Sequence, residues 1–133
     1  MIAIVDYGFG NLQSVKKALS LLNCESTITT SIKKINSAHS IIFPGVGAFG
    51  DCINNLHEKD LFETLKNSIK QGKPFLGICL GLQILFEGSD ETPEVEGLSI
   101  FTGNIDKIDF NKHKSVSYTH LRAHETRHDL VCR

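Results

Sequence analysis

An apolar run beginning at Phe75 stops at Gly77-Ile78-Cys79-Leu80-Gly81, and a helix-patterned run follows at once through Glu87. A strand that feeds a sharp turn into a helix, with small residues flanking the central side chain, is how a nucleophile elbow lifts a reactive atom above a sheet. Cys79 would be that nucleophile. At a helix N-terminus the positive end of the macrodipole favours the thiolate, relative to a free cysteine with a pKa of roughly 8.5. The chemistry that suits this spacing is acyl transfer through a thioester. Cysteine is also a common small buried residue, so the same five residues read equally as a tight strand-to-helix packing corner.

Thioester chemistry needs hydrogen-bond donors for an oxyanion, and a second stretch offers them. Pro44-Gly45-Val46-Gly47-Ala48-Phe49-Gly50-Asp51 places three glycines within six residues after an apolar run, which lets backbone N–H groups turn outward to a ligand. Two convergent N–H groups suffice, one from Leu80 directly after the nucleophile and one from this loop near Val46. An ordinary flexible turn is the alternative, and it weakens once the loop is paired with the Cys79 elbow on one sheet edge.

Two other patterns lead elsewhere and are set aside. Gly8-Phe9-Gly10-Asn11-Leu12-Gln13 starts like a dinucleotide fingerprint, but Gln13 stands where the third glycine belongs, so no such cofactor is expected. His124-Glu125-Thr126-Arg127-His128 matches the zinc-protease pattern, yet only five residues follow it and its surroundings are almost wholly polar. With His120 it would share a helical face suited to adventitious metal, and no resident metal is expected.

The elements that must position these residues alternate. Met1 to Val5 reads as a strand entering the glycine loop, and Leu12, Val15, Leu19 and Leu22 recur at helical spacing. Ser26 to Thr30 and His39 to Phe43 read as strands, a helix is expected from about Asp51 to Gln71, and Phe75 to Ile78 forms another buried strand. Such alternation implies an α/β fold, a doubly wound, mostly parallel sheet with its glycine loops at the strand C-terminal ends, where these sheets place their sites. After an acidic, loop-like stretch from Gly88 to Glu96, Leu98 to Phe110 is expected to form an antiparallel edge or hairpin.

Beyond Lys112 the character changes: four of the six histidines and every arginine fall there, with little apolar periodicity. Residues 1–114 are therefore expected to form the N-terminal part of a domain. Residues 115–133, from Ser117 to His128 in particular, resemble translated adapter sequence and are expected to be a non-native or disordered tail.

At 133 residues, 41% hydrophobic and 22% charged, the chain has the composition of one globular domain with a real core. A formal charge of −1 gives no electrostatic reason to expect nucleic acid or an anionic membrane as a partner. The apolar runs are too short to span a bilayer and no signal core opens the chain, so a cytoplasmic location is expected. Cys24, Cys52, Cys79 and Cys132 are widely spaced without a C-x-x-C pair and read as individual thiols.

With these residues in place, Met1 to about Phe110 resembles the glutamine amidotransferase subunits of imidazole glycerol phosphate synthase, the histidine-pathway members of the class I (triad) glutaminases. Gly77 to Gln83 resembles the nucleophile motif of the whole class; Ile4-Val5-Asp6-Tyr7-Gly8-Phe9-Gly10-Asn11-Leu12 and Pro44 to Phe49 resemble the histidine-pathway subgroup in particular. Leu82 departs mildly from the methionine usual there. The resemblance implies a flavodoxin-like fold incomplete at its C-terminus. It also implies that Cys79 attacks the side-chain amide of glutamine, that ammonia leaves, and that water hydrolyses the glutamyl thioester to glutamate. Gly45, Val46, Gly47 and Leu80 would frame the oxyanion and substrate, and Gln83 would help bind glutamine. Ammonia would pass to a (β/α)8-barrel cyclase subunit faced by Gly10 and Asn11. The family's His-x-Glu pair, base and orienter of the triad, has no counterpart in these 133 residues, where His124-Glu125 is adjacent rather than spaced. Poor or no turnover by this chain is therefore expected, and a non-catalytic flavodoxin-like interaction module is the alternative.

Overall fold

The structure, a computed structural model, describes residues 1–107. The tail from 115 to 133, with its His-Glu-x-x-His pattern, lies outside the described residues. In chain order the elements are β1 (Ile2–Val5), α1 (Leu12–Leu21), β2 (Ser26–Thr29), α2 (Ile32–Ser37), β3 (Ser40–Gly45), α3 (Phe49–Glu58), α4 (Phe62–Lys70), β4 (Phe75–Cys79), α5 (Leu80–Gln83), β5 (Gly88–Ser89) and β6 (Asn104–Ile105).

β1 to β4 form one parallel sheet in the order β2-β1-β3-β4, with Ile2 opposite both Ser26 and Ser40, and Ile41 opposite Phe75. The chain leaves β1 to one side to make β2, then crosses back over β1 to make β3. Because parallel crossovers are right-handed, that reversal places α1 on one face and α2 to α4 on the other. The sheet is thus doubly wound, and the order reverses between β1 and β3, where the crevice beyond the strand C-termini holds the two glycine loops.

Strand alternation then decides the packing. Ala3, Val5, Ile41 and Phe43 point to one face and join Ile35 of α2, Cys52, Ile53 and Leu56 of α3 and Leu65 of α4 in a single buried core. Ile4 and Ile42 point the other way and are also buried. On that second face Leu76 and Ile78 of β4 remain 55% and 40% exposed, because β4 is an outer strand among the described residues and no described helix covers them.

Three expectations need correction. The helix anticipated from Asp51 to Gln71 is two helices, broken where Asp60 takes φ +57° and Leu61 N–H turns back to the Leu56 carbonyl at 2.8 Å. The helical run after Cys79 is a single turn. Its would-be continuation is taken by another segment: Leu98 N–H bonds the Ile84 carbonyl, Ile100 N–H that of Leu85, Ser99 N–H that of Phe86, and Gly97 N–H that of Glu87. Finally, no antiparallel hairpin forms from Leu98 among the described residues; β6 pairs in parallel with β5 over two residues each. Besides these, α2 was not anticipated. Ser31 caps it, accepting from Lys34 N–H, and the Lys73 ammonium closes its far end on the carbonyls of Ile35 and Asn36 at 2.8 and 2.7 Å.

Candidate active site

Cys79 is the last residue of β4 and the cap of α5, and its backbone sits at φ +56°, ψ −115°. A side chain other than glycine tolerates that region only where the surroundings impose it. They do so here through the flanking glycines. A Cβ on Gly77 would collide with the Gly81 carbonyl oxygen, and one on Gly81 with that of Phe43. The turn closes this tightly only because both positions lack a side chain, which is the strand-turn-helix geometry expected of an elbow. The Cys79 thiol is exposed, unlike that of Cys52 in the core.

β3 brings the second loop beside the elbow. Gly45 is the register partner of Cys79, and a Cβ on Gly45 would meet Gly81 N and Leu80 Cβ at 2.8 Å. Gly45, Val46 and Gly47 therefore lie next to Cys79 and Leu80, with Gly47 at φ +107°. As the first residue of α5, Leu80 has an N–H without an intrahelical acceptor. The Val46 N–H is differently placed: it donates to the Tyr7 hydroxyl at 3.1 Å, and that hydroxyl in turn donates to the Val46 carbonyl at 3.2 Å. The sequence anticipated a donor near Val46; the structure shows that donor already engaged.

Tyr7 was missed as a site residue because an aromatic after a strand reads as core. It is fully buried, stacked on Phe43 at 4.8 Å between ring centroids, and carries its hydroxyl up to the loop. Burial pushes its phenol up to about 12, and burial likewise pushes the adjacent Cys52 thiol up to about 12. Both stay protonated at neutral pH, so neither is a nucleophile or a base.

Gln83 closes α5 and lines a cavity of about 520 Å³ together with Asp90, Glu91, Asp106 and Lys107. Folded back, the acidic loop brings carboxylates to the cavity that Gln83 lines and Cys79 does not, and Glu91 accepts the Phe49 N–H at 3.3 Å, tying the loop to the start of α3. Gly10 and Asn11 sit on the neighbouring loop. Gly10, at φ +114°, would put a Cβ 2.9 Å from the Pro44 carbonyl, and the Asn11 side chain caps α1 by accepting from Ser14 N–H at 3.3 Å. Phe9 and Val46, each about half exposed, stand at the same rim. Among the described residues no cluster of three metal-ligating side chains occurs, and no helix is long and apolar enough to cross a membrane.

This geometry agrees with what the chain is similar to. The family model for class-I glutamine amidotransferases matches residues 3–129. The imidazole glycerol phosphate synthase subunit HisH of Caldanaerobacter subterraneus is 51% identical over 105 residues, 79% of this chain and 52% of that protein. The subunit of the same name from Rhodopirellula baltica is 50% identical over 105 residues, 79% of this chain and 51% of that one. A crystal structure of a glutamine amidotransferase superposes with a TM-score of 0.64 over 75% of this chain and 53% of that one, at 20% identity, a likeness of fold. The chain thus spans about half the length of the curated relatives it matches. On the elbow, the parallel sheet that carries it and the family match over most of its length, the chain belongs to the class-I glutamine amidotransferases.

Proposed function

We propose that this chain carries the nucleophile and part of the glutamine pocket of the glutaminase subunit of an imidazole glycerol phosphate synthase, serving histidine biosynthesis. The observation that carries the reading is Cys79 at φ +56° on an elbow beside Gly45. In that position the Cys79 thiolate adds to the side-chain amide carbon of glutamine, Leu80 N–H faces the oxyanion, the C–N bond breaks as ammonia takes a proton, and water cleaves the thioester to glutamate. Gln83 and the carboxylates of Asp90 and Glu91 suit the polar end of the substrate, an α-ammonium above all. Gly45 and Gly47 leave the space that the amide needs.

General acid-base help, worth roughly 10²- to 10⁴-fold, belongs to the His-x-Glu pair of the resembling family, which these 133 residues do not contain. The rim of Gly10, Asn11, Phe9 and Val46 fits the surface that would meet a (β/α)8-barrel cyclase receiving the ammonia.

The test compares two electrophiles on the purified chain. A glutamine-shaped chloroketone should modify Cys79 with saturation, and free glutamine should protect it, while iodoacetamide reacts with Cys79 and exposed Cys24 alike. Equal labelling of Cys24 and Cys79 by both reagents would overturn the reading in favour of a non-catalytic docking module.

A further inference from the structure

We propose that Tyr7 is a positioning residue for the oxyanion loop, its hydroxyl holding the Val46 N–H in reserve so that the loop's donor reaches substrate only when this hydroxyl lets go. The proposal rests on the glutaminase reading of Cys79. Its basis is a bracket: one hydroxyl both accepts from the Val46 N–H at 3.1 Å and donates to the Val46 carbonyl at 3.2 Å, across 39 residues of sequence. The first bond fixes the Gly45–Val46 peptide plane and the second the Val46–Gly47 plane. Nothing else about Val46 calls for such an anchor, since its side chain is 52% exposed and the next residue is a glycine at φ +107°.

The anchor itself is rigid. The Tyr7 ring is fully buried, stacked on Phe43, and sits against Cys52 of α3, so the hydroxyl cannot follow the loop if the loop turns. The loop, by contrast, has a glycine on each side of Val46, and Gly47 has no atom within 4 Å of where a Cβ would be. A stiff post holding the two peptides that meet at Val46, each with a glycine at its far end, makes those peptides the movable part. Gly45 pairs in register with Cys79, so a turn of the next peptide changes which backbone group faces the nucleophile. A nearby donor spent on an internal acceptor contributes nothing to an oxyanion until it is freed.

Tyr7→Phe removes the hydroxyl and keeps the ring. In that variant the Val46 amide should exchange with solvent about tenfold faster, the worth of one hydrogen bond, while the amides of Ile41 to Phe43 keep their protection. The maximal rate of Cys79 labelling by the glutamine-shaped chloroketone should rise about tenfold on the same basis, with half-saturation and the iodoacetamide rate unchanged. Val46→Pro, which deletes the N–H and leaves Tyr7 in place, should move labelling the other way. It also decides the matter if Tyr7→Phe loses the protection of β3. A wild-type Val46 amide without protection, unchanged labelling in Tyr7→Phe, or the same sign in both variants overturns the role of Tyr7. If the wild-type chain shows no preference of the chloroketone for Cys79, it is the glutaminase reading that fails, whereas the amide exchange still reports on the bracket.

Discussion

A cysteine held at φ +56°, ψ −115° costs stability, on the order of 1–3 kcal/mol for a non-glycine residue in a sparsely populated region. Part of that cost is recoverable. Cys79→Gly should raise the urea midpoint by an amount equivalent to about 1 kcal/mol, after allowing for the extra freedom of glycine in the unfolded chain. Cys79→Ala removes the thiol but keeps the Cβ, so it should leave the midpoint near that of the wild type. A gain in both variants would point to the sulfur rather than the backbone as the source of strain. A second residue-scale prediction concerns Tyr7 and Cys52, whose folded pKa values are raised from 10.0 and 9.0 to about 12. In the window from about pH 9 to 12 the unfolded chain has released these protons while the folded one retains them, so folding binds protons and stability falls as pH rises. Below pH 9 these two groups contribute no slope. Tyr7→Phe and Cys52→Ala should each flatten the alkaline limb of a stability-against-pH curve and leave its neutral part unsloped.

At the scale of elements, the strands were legible because Ile2 to Val5, Ser26 to Thr29, Ser40 to Phe43 and Phe75 to Ile78 are short β-rich or apolar runs bounded by turn residues. What the sequence hid depends on distant partners. α2 is six residues long and rests on a Ser31 cap and on Lys73, 38 residues from Ile35, so local periodicity cannot reveal it. α5 stops after one turn because residues 97 to 101 claim its next carbonyls, a competition visible only once the chain is folded. The site divides likewise: Cys79 and the Gly45 loop follow from local motifs, whereas Tyr7 and Glu91 join it through bonds spanning 39 and 42 residues. Two substitutions test these joints. Lys73→Met should lower stability by about 1–2 kcal/mol, the scale of hydrogen bonds to a charged group, with hydrogen exchange accelerating first in α2. Gly81→Ala sets a methyl where the Phe43 carbonyl already lies, so β3 and the elbow must part; a loss of about 1–3 kcal/mol is expected, together with slower chloroketone labelling of Cys79. Labelling that survives this substitution would show that the elbow needs no close glycine.

For the molecule as a whole, the two faces of the sheet are unequal. One is sealed by α2, α3 and α4 over a core whose members, from Ala3 to Leu98, are nearly all inaccessible. The other is sealed over β1, where Ile4 is fully buried, but at β4 it exposes Leu76 and Ile78, and Leu82 beyond the elbow is 51% exposed. An apolar strand face uncovered among the described residues raises two outcomes, aggregation and a molten state. The two outcomes separate here, because a molten state requires a loosened core and this core is closed, whereas association needs only an apolar strand edge. The expected behaviour is a cooperative thermal transition together with reversible, concentration-dependent association. Sedimentation velocity across a dilution series should show a shift to monomer on dilution, and Leu76→Asn with Ile78→Thr should move the shift to higher concentration without lowering the transition temperature by more than a few degrees. A monomer at every concentration would mean that β4 is covered in solution, and a non-cooperative melt would mean that the closed face does not hold the domain by itself.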